Sequence, residues 1–264
     1  MDAETRFEFA QSVARHIGAF LLAHYRLQGT AAHAKADHTL VSQADTQADV
    51  LVRRLLRAAD PEAALLTEEG GARYPEDARG AWIVDPLDGT HNFVFGLPLW
   101  GVSVAYVDES GYPSVAAAYF PALQAMYSAW RGHGAWLNGR RIHVRRAAPE
   151  HGVALLGVCW PSSRPFRCRP WPWKVRAVGS GVWQQALVAQ GATLAAVDCA
   201  PRLWDAAAGV LLVQEAGGVV QAFEGPSFFP LVPGQDYRRA RAHLIAAGSP
   251  ETLARVLEVL TGSS

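Results

Sequence analysis

Between Thr5 and Leu27 the apolar residues Phe9, Val13, Ile17, Phe20 and Leu21 recur at helical spacing, which predicts an amphipathic helix packed on the body of the protein. A second helix is predicted after Ser42, where Ser42-Gln43-Ala44-Asp45 offers a polar cap. Val50, Leu51, Leu55 and Leu56 supply its inward face, and Pro61 follows its end. The apolar runs then shorten to strand length at residues 64–67, 81–84, 100–107, 114–119 and 125–130, with turn-rich pieces such as Glu109-Ser110-Gly111-Tyr112-Pro113 between them. This pattern predicts a meandering, largely antiparallel sheet.

After Ala147 strands and helices alternate. Strands are predicted at 153–158, 193–197, 219–223 and 243–247, and helices at 182–189, 205–216 and 250–260, which points to a second α/β layer. The change of pattern divides the chain into 1–146 and 147–264, two subdomains of one integrated unit. Trp160 to Lys174 is too proline-rich for a regular element and too aromatic for a plain linker.

Composition narrows the class. With 264 residues, half of them apolar or aromatic, the chain has enough material for one large core or two packed subdomains. Its 24 basic and 24 acidic residues cancel, so no global field draws nucleic acid or an anionic membrane. Cys159, Cys168 and Cys199 form no CxxC pair and no disulfide framework. The opening MDAETRFEFA is acidic and polar where a signal peptide is basic and then apolar. No apolar run approaches the roughly 20 residues that span a bilayer. These features together predict a soluble cytoplasmic protein.

The candidate chemistry centres on WIVDPLDGTHNF, residues 82–93. If Ile83-Val84 ends a strand, Asp85 sits at its carboxyl end, where open sheets place ligands. Asp88-Gly89-Thr90 then opens a short helix through Phe93, with the Gly89 and Thr90 N–H groups free for a phosphate. Carboxylates beside a phosphate need a cation between them, and Mg²⁺ prefers oxygen ligands. The plainer alternative makes Asp88 an N-cap and Asp85 a turn former. Glu68-Glu69 at another strand end, Asp45 at a helix start and Asp205 against the apolar run AAAGVLLV add further carboxylates. A carboxylate on so apolar a segment needs a partner, either a cap bond or a metal.

Glu68-Glu69, Asp85-Pro86-Leu87-Asp88-Gly89-Thr90 with Asn92-Phe93, and Trp204-Asp205-Ala206-Ala207-Ala208-Gly209 running into Glu215-Ala216-Gly217-Gly218 together resemble the inositol monophosphatase family. The order and spacing fit over essentially the whole chain, with Lys35, Ser42 and Asp45 upstream and Arg176 to Ser180 downstream. The resemblance implies an α/β fold, a layered αβαβα sandwich of the sugar-phosphatase type. It implies a homodimer that hydrolyses small phosphorylated alcohols with two or three Mg²⁺ ions and is inhibited by lithium. Glu68, Asp85 and the Leu87 carbonyl would hold one metal, and Asp85, Asp88 and Asp205 a second. Gly89 and Thr90 would bind phosphate. Thr90 and Glu68 would orient the attacking water, and Asp45 would support that network. Asp88, Gly179, Ser180, Asp198 and Asp205 fall where the family contacts substrate.

The mechanism implied is in-line attack on phosphorus by a metal-activated water. An aspartyl-phosphate route through D-x-D-x-T fails on spacing, because its first aspartate would have to be Pro86. Inositol monophosphate is the first substrate expected; histidinol phosphate and a nucleotide 3'-phosphate are alternatives. A reading of another class is an RNA- or protein-binding role. It rests on Arg140 to Arg146 and on Arg164, Arg167 and Arg169 interleaved with Phe166, Trp171 and Trp173.

Overall fold

In the computed structural model, which describes residues 1–25, 32–34, 40–148, 154–159 and 172–261, helix α1 spans Ala3–His24. Asp2 caps it by accepting the Thr5 N–H at 2.8 Å, and Val13, Ile17 and Leu21 are buried along one face. Strands β1 (Ala32–Ala34) and β2 (Leu40–Ser42) pair antiparallel and lead into α2 (Gln43–Ala59). The inward face of α2 differs from the expected one. Val50 is 48 % exposed, whereas Ala44, Ala48, Val52 and Leu56 are buried together with Asp45 and Asp49. Two acidic residues belong to the buried stripe, and they set a helix phase that counting apolar side chains misses.

A seven-stranded sheet follows in strict chain order: β3 (Ala64–Thr67), β4 (Ala81–Asp88), β5 (Gly101–Val107), β6 (Pro113–Phe120), β7 (Ala125–Trp130), β8 (Gly134–Leu137) and β9 (Arg140–Ile142). Only the β3–β4 pair is parallel. Every residue of β4 is buried, which explains why its sequence is an unbroken apolar run up to the aspartates: helices cover both faces. β8 and β9 were not evident from periodicity. β9 is a three-residue edge strand whose Arg140 and Arg141 are exposed, so its alternation carries little signal.

The second sheet has the order β11–β10–β12–β14–β13, built from β10 (Leu155–Cys159), β11 (Lys174–Arg176), β12 (Ala195–Cys199), β13 (Val219–Glu224) and β14 (His243–Ala247). The five-residue helix α3 (Thr90–Val94) joins β4 to β5, while α4 (Gly181–Ala189) and α5 (Leu203–Glu215) lie between the two sheets. Val182, Ala186, Trp204 and Leu211 share one core with Ala105 and Ala118 of the first sheet and Ala196 and Leu244 of the second. On the far side of the first sheet, Ile17 and Val52 pack with Trp82 and Val102. On the far side of the second, Leu253 and Val256 of α6 (Pro250–Thr261) pack with Val197 and Ile245. The layers therefore run α1/α2, sheet, α4/α5, sheet, α6, the αβαβα sandwich expected.

Glu215 at the end of α5 accepts the Gly132 and Gly134 N–H groups at 2.9 and 2.8 Å, tying the middle layer to the β7–β8 turn. Among the described residues no helix is long and apolar enough to cross a membrane. Lys35 and the Arg/Trp-rich residues 160–171 lie outside the described residues.

Candidate active site

Asp85 and Asp88 are three residues apart, and strict strand alternation would put them on opposite faces. A bulge prevents this. Asp85 pairs with Ser103 and Asp88 with Gly101, so β4 carries one residue more than β5 between the two pairs. The strand thus continues through Asp88 instead of ending at Val84, and Pro86, which has no N–H to donate, falls inside the irregular stretch. Asp85 Oδ1 accepts the Leu87 N–H at 2.9 Å, which fixes that carboxylate inward.

Gly89 follows in the left-handed region with φ +87°, at the N-cap of α3. A Cβ there would stand 2.9 Å from the Leu99 carbonyl oxygen and 3.3 Å from Ser180 Cβ, so both conformation and space require glycine. Asp88 does not cap the helix that follows it. Its carboxylate instead accepts the Ser180 hydroxyl, the Gly181 N–H at 3.2 Å and the Val182 N–H at 3.1 Å, capping α4 from a distant part of the chain. Ser180 is the local N-cap of that same helix, accepting the Trp183 N–H at 3.2 Å. Asp205, in the first turn of α5, accepts the Arg202 N–H at 2.8 Å.

The layering brings ligand oxygens of Asp85, Asp88 and Asp205 within 4.8 Å of one another. Their electrostatics follow from that crowding. Burial, then Glu68, Asp205, Asp88 and Asp45, push the Asp85 carboxyl well above the usual carboxylate range. Burial pushes Asp88 up to about 6 against the pull of its three donors, and burial with Asp88 and Glu68 pushes Asp205 up to about 7. Such a group of buried acids is stable as protonated carboxyls or around a cation.

Glu68, Asp85, Leu87, Asp88, Gly89, Thr90, Gly179 and Asp205 line one cleft of about 180 Å³, together with His91 and Arg202. Thr90 Oγ1 lies 3.0 Å from the Leu87 carbonyl oxygen and 3.4 Å from Asp45 Oδ2, and its single proton serves one of them at a time. Asp45 is 1 % exposed and meets Thr90, a residue of the cleft, from behind. Asp198 is buried and does not line the cleft; it lies behind Gly181, where an added Cβ would stand 3.0 Å from its Oδ2. Arg202 was not singled out in the sequence. Its only signal there is a cation three residues before Asp205. A larger hollow of about 500 Å³ opens beside Gly80, at the opposite end of β4, but its Arg6 is engaged by Asp60 and its Asp108 by Arg131.

Residues 2–260 match the profile of the inositol monophosphatase family. The chain belongs to that family. An inositol-1-monophosphatase of Mesorhizobium japonicum is 36 % identical over 196 residues, which cover 70 % of this chain and 73 % of that one. The protein named Nus factor SuhB of Salmonella typhimurium is 31 % identical over 263 residues, covering 94 % and 92 %. The solved structure of the extragenic suppressor protein SuhB from Bartonella henselae superposes with a TM-score of 0.81 at 27 % identity, covering 98 % of this chain and 100 % of that one. This inositol monophosphatase family member is accordingly a phosphatase acting on small phosphorylated substrates. Its family is metal-dependent, and the all-oxygen, mutually repelling set of Asp85, Asp88 and Asp205 suits a hard divalent cation.

Proposed function

We propose that the protein hydrolyses a phosphate monoester of a small alcohol or sugar, inositol monophosphate foremost, with Mg²⁺ held in the Asp85–Asp88–Asp205 cleft. The convergence of those three carboxylates, Asp85 and Asp88 buried and Asp205 half-buried, beside Gly89 and Thr90 carries this reading. Glu68, Asp85 and the Leu87 carbonyl would hold one ion, Asp85, Asp88 and Asp205 another, in a set of two or three. Bound Mg²⁺ supplies a lowered pKa for water and neutralises phosphoryl oxygens.

The chain's own residues do the rest. The Gly89 and Thr90 N–H groups seat the phosphate at the opening of α3. Glu68 and the Thr90 hydroxyl orient a water, and Asp45 sets the direction of that hydroxyl from behind. Gly179, on the cleft wall, serves the alcohol part, whereas Ser180 and Asp198, expected beside it, stand behind that wall at Asp88 and Gly181. The reading includes a cytoplasmic homodimer. Phosphate release is expected from inositol monophosphate with Mg²⁺ and is expected to fall when Li⁺ is added. A screen that also holds glycerol 2-phosphate, histidinol phosphate and a nucleotide 3'-phosphate tests it, and Mg²⁺-independent release would sink it.

A second reading, an RNA- or protein-binding role, draws on exposed Arg140 and Arg141 along edge strand β9 and on the Nus factor name of the Salmonella relative. It predicts salt-dependent RNA binding that survives Asp85→Asn. No binding at low salt removes it.

A further inference from the structure

Asn92 lies within α3, is 8 % exposed and does not line the cleft. Its carboxamide nitrogen donates to two backbone carbonyls at once, Leu99 O at 2.6 Å and Val178 O at 2.7 Å. Leu99 leads into β5 of the first sheet, whereas Val178 leads into α4 of the middle layer. The same carboxamide faces Gly179, whose φ is +71°; a Cβ there would stand 3.0 Å from Asn92 Oδ1 and 3.1 Å from Nδ2. An uncharged side chain that donates two N–H bonds from one nitrogen is a carboxamide, so the residue type matches the task. The residues directly after Val178 and Gly179 are Ser180, Gly181 and Val182, the three donors to Asp88.

We infer that Asn92 is a positioning residue, a main-chain staple that holds residues 178–182 against the 88–99 segment so that the opening turn of α4 meets Asp88 and Gly179 forms the cleft wall. The inference rests on the phosphatase site proposed above. In that site the phosphate sits on Gly89 and Thr90, on Asn92's own segment, while the alcohol part meets Gly179 across the staple. Loosening the staple therefore separates two affinities that a general loss of structure would weaken together.

Asn92→Asp keeps the shape and turns the two donors into an oxygen facing two carbonyl oxygens; Asn92→Ala removes them without adding charge. In both variants, KM for the best phosphate ester is expected to rise about tenfold, the worth of one to two hydrogen bonds. Under the same conditions kcat falls by a smaller factor and the inhibition constant of inorganic phosphate stays within about twofold. Amide hydrogen exchange is expected to quicken across residues 176–182 and to stay unchanged in β4. Wild-type kinetics with wild-type exchange at 176–182 would overturn the inference. So would faster exchange throughout β4 and α5 with ester and inorganic phosphate weakened alike. If the wild-type protein releases phosphate from no ester, the proposed function fails, and the exchange comparison still decides the role of Asn92.

Discussion

Asp85→Asn is expected to lower Mg²⁺-dependent phosphate release about a thousandfold while the protein stays folded. Asp85 is the one carboxylate assigned to both metal positions, and burial and four neighbouring acids push it well above the usual carboxylate range. Asparagine keeps its shape and the oxygen that accepts the Leu87 N–H, so the bulge in β4 has no reason to relax. It removes the charge, however, and with it the means of attracting a divalent cation between Asp88 and Asp205. The same loss relieves repulsion in the metal-free protein, so the variant is expected to melt above the wild type without Mg²⁺ and to gain less from adding it. Steady-state phosphate release and thermal scans with and without Mg²⁺ measure both effects, and full activity in the variant would refute the metal assignment.

The metal-free protein is expected to melt about 5–10 °C lower at pH 8 than at pH 5, with Mg²⁺ recovering much of the difference at pH 8 and little of it at pH 5. The direction follows from the carboxyls. Burial raises Asp88 from 3.8 to about 6 and Asp205 from 3.8 to about 7, and Asp85 and Asp198 are raised as well. Between the unfolded and folded values the native state binds more protons than the unfolded chain, so stability falls as pH rises. The contribution is fully present below about pH 4 and is lost as pH climbs through 6 and 7. Each shift is worth on the order of a few kcal/mol, and the groups share their repulsion, so the values do not add. Asp205→Asn is expected to flatten the dependence. A metal-free melting temperature that climbs from pH 5 to pH 8 would contradict the raised carboxyls of the Asp85–Asp88–Asp205 cluster.

Much of the fold was legible because it rests on local periodicity. The β3, β7 and β14 spans are those the apolar runs outline, and most other elements lie within a few residues of theirs. The misses share a cause. Val50 turns outward because the buried stripe of α2 includes Asp45 and Asp49, which an apolar count leaves out, and β8, β9 and β11 are too short or too exposed to alternate clearly. In the site, the short helix opened by Asp88-Gly89-Thr90 is legible from residue type, since a glycine turn answers a backbone requirement within a few positions. The partner of Asp88 was not, because α4 begins more than 90 residues later.

The sequence alone determined which acids are available, which glycine opens the turn into α3 and where most helices and strands run, because those properties depend on neighbours within a turn or a strand pair. Tertiary structure alone decided that Asp88 caps α4 and not its own helix, that Asp205 comes within reach of Asp85 and Asp88, that Asp198 lies behind Gly181, and that Asn92 bridges two layers. Each of those contacts joins segments distant in the chain. They exist because burying α4 and α5 between two sheets removes water from their ends, leaving buried N–H groups and carboxylates to find partners in the opposite layer.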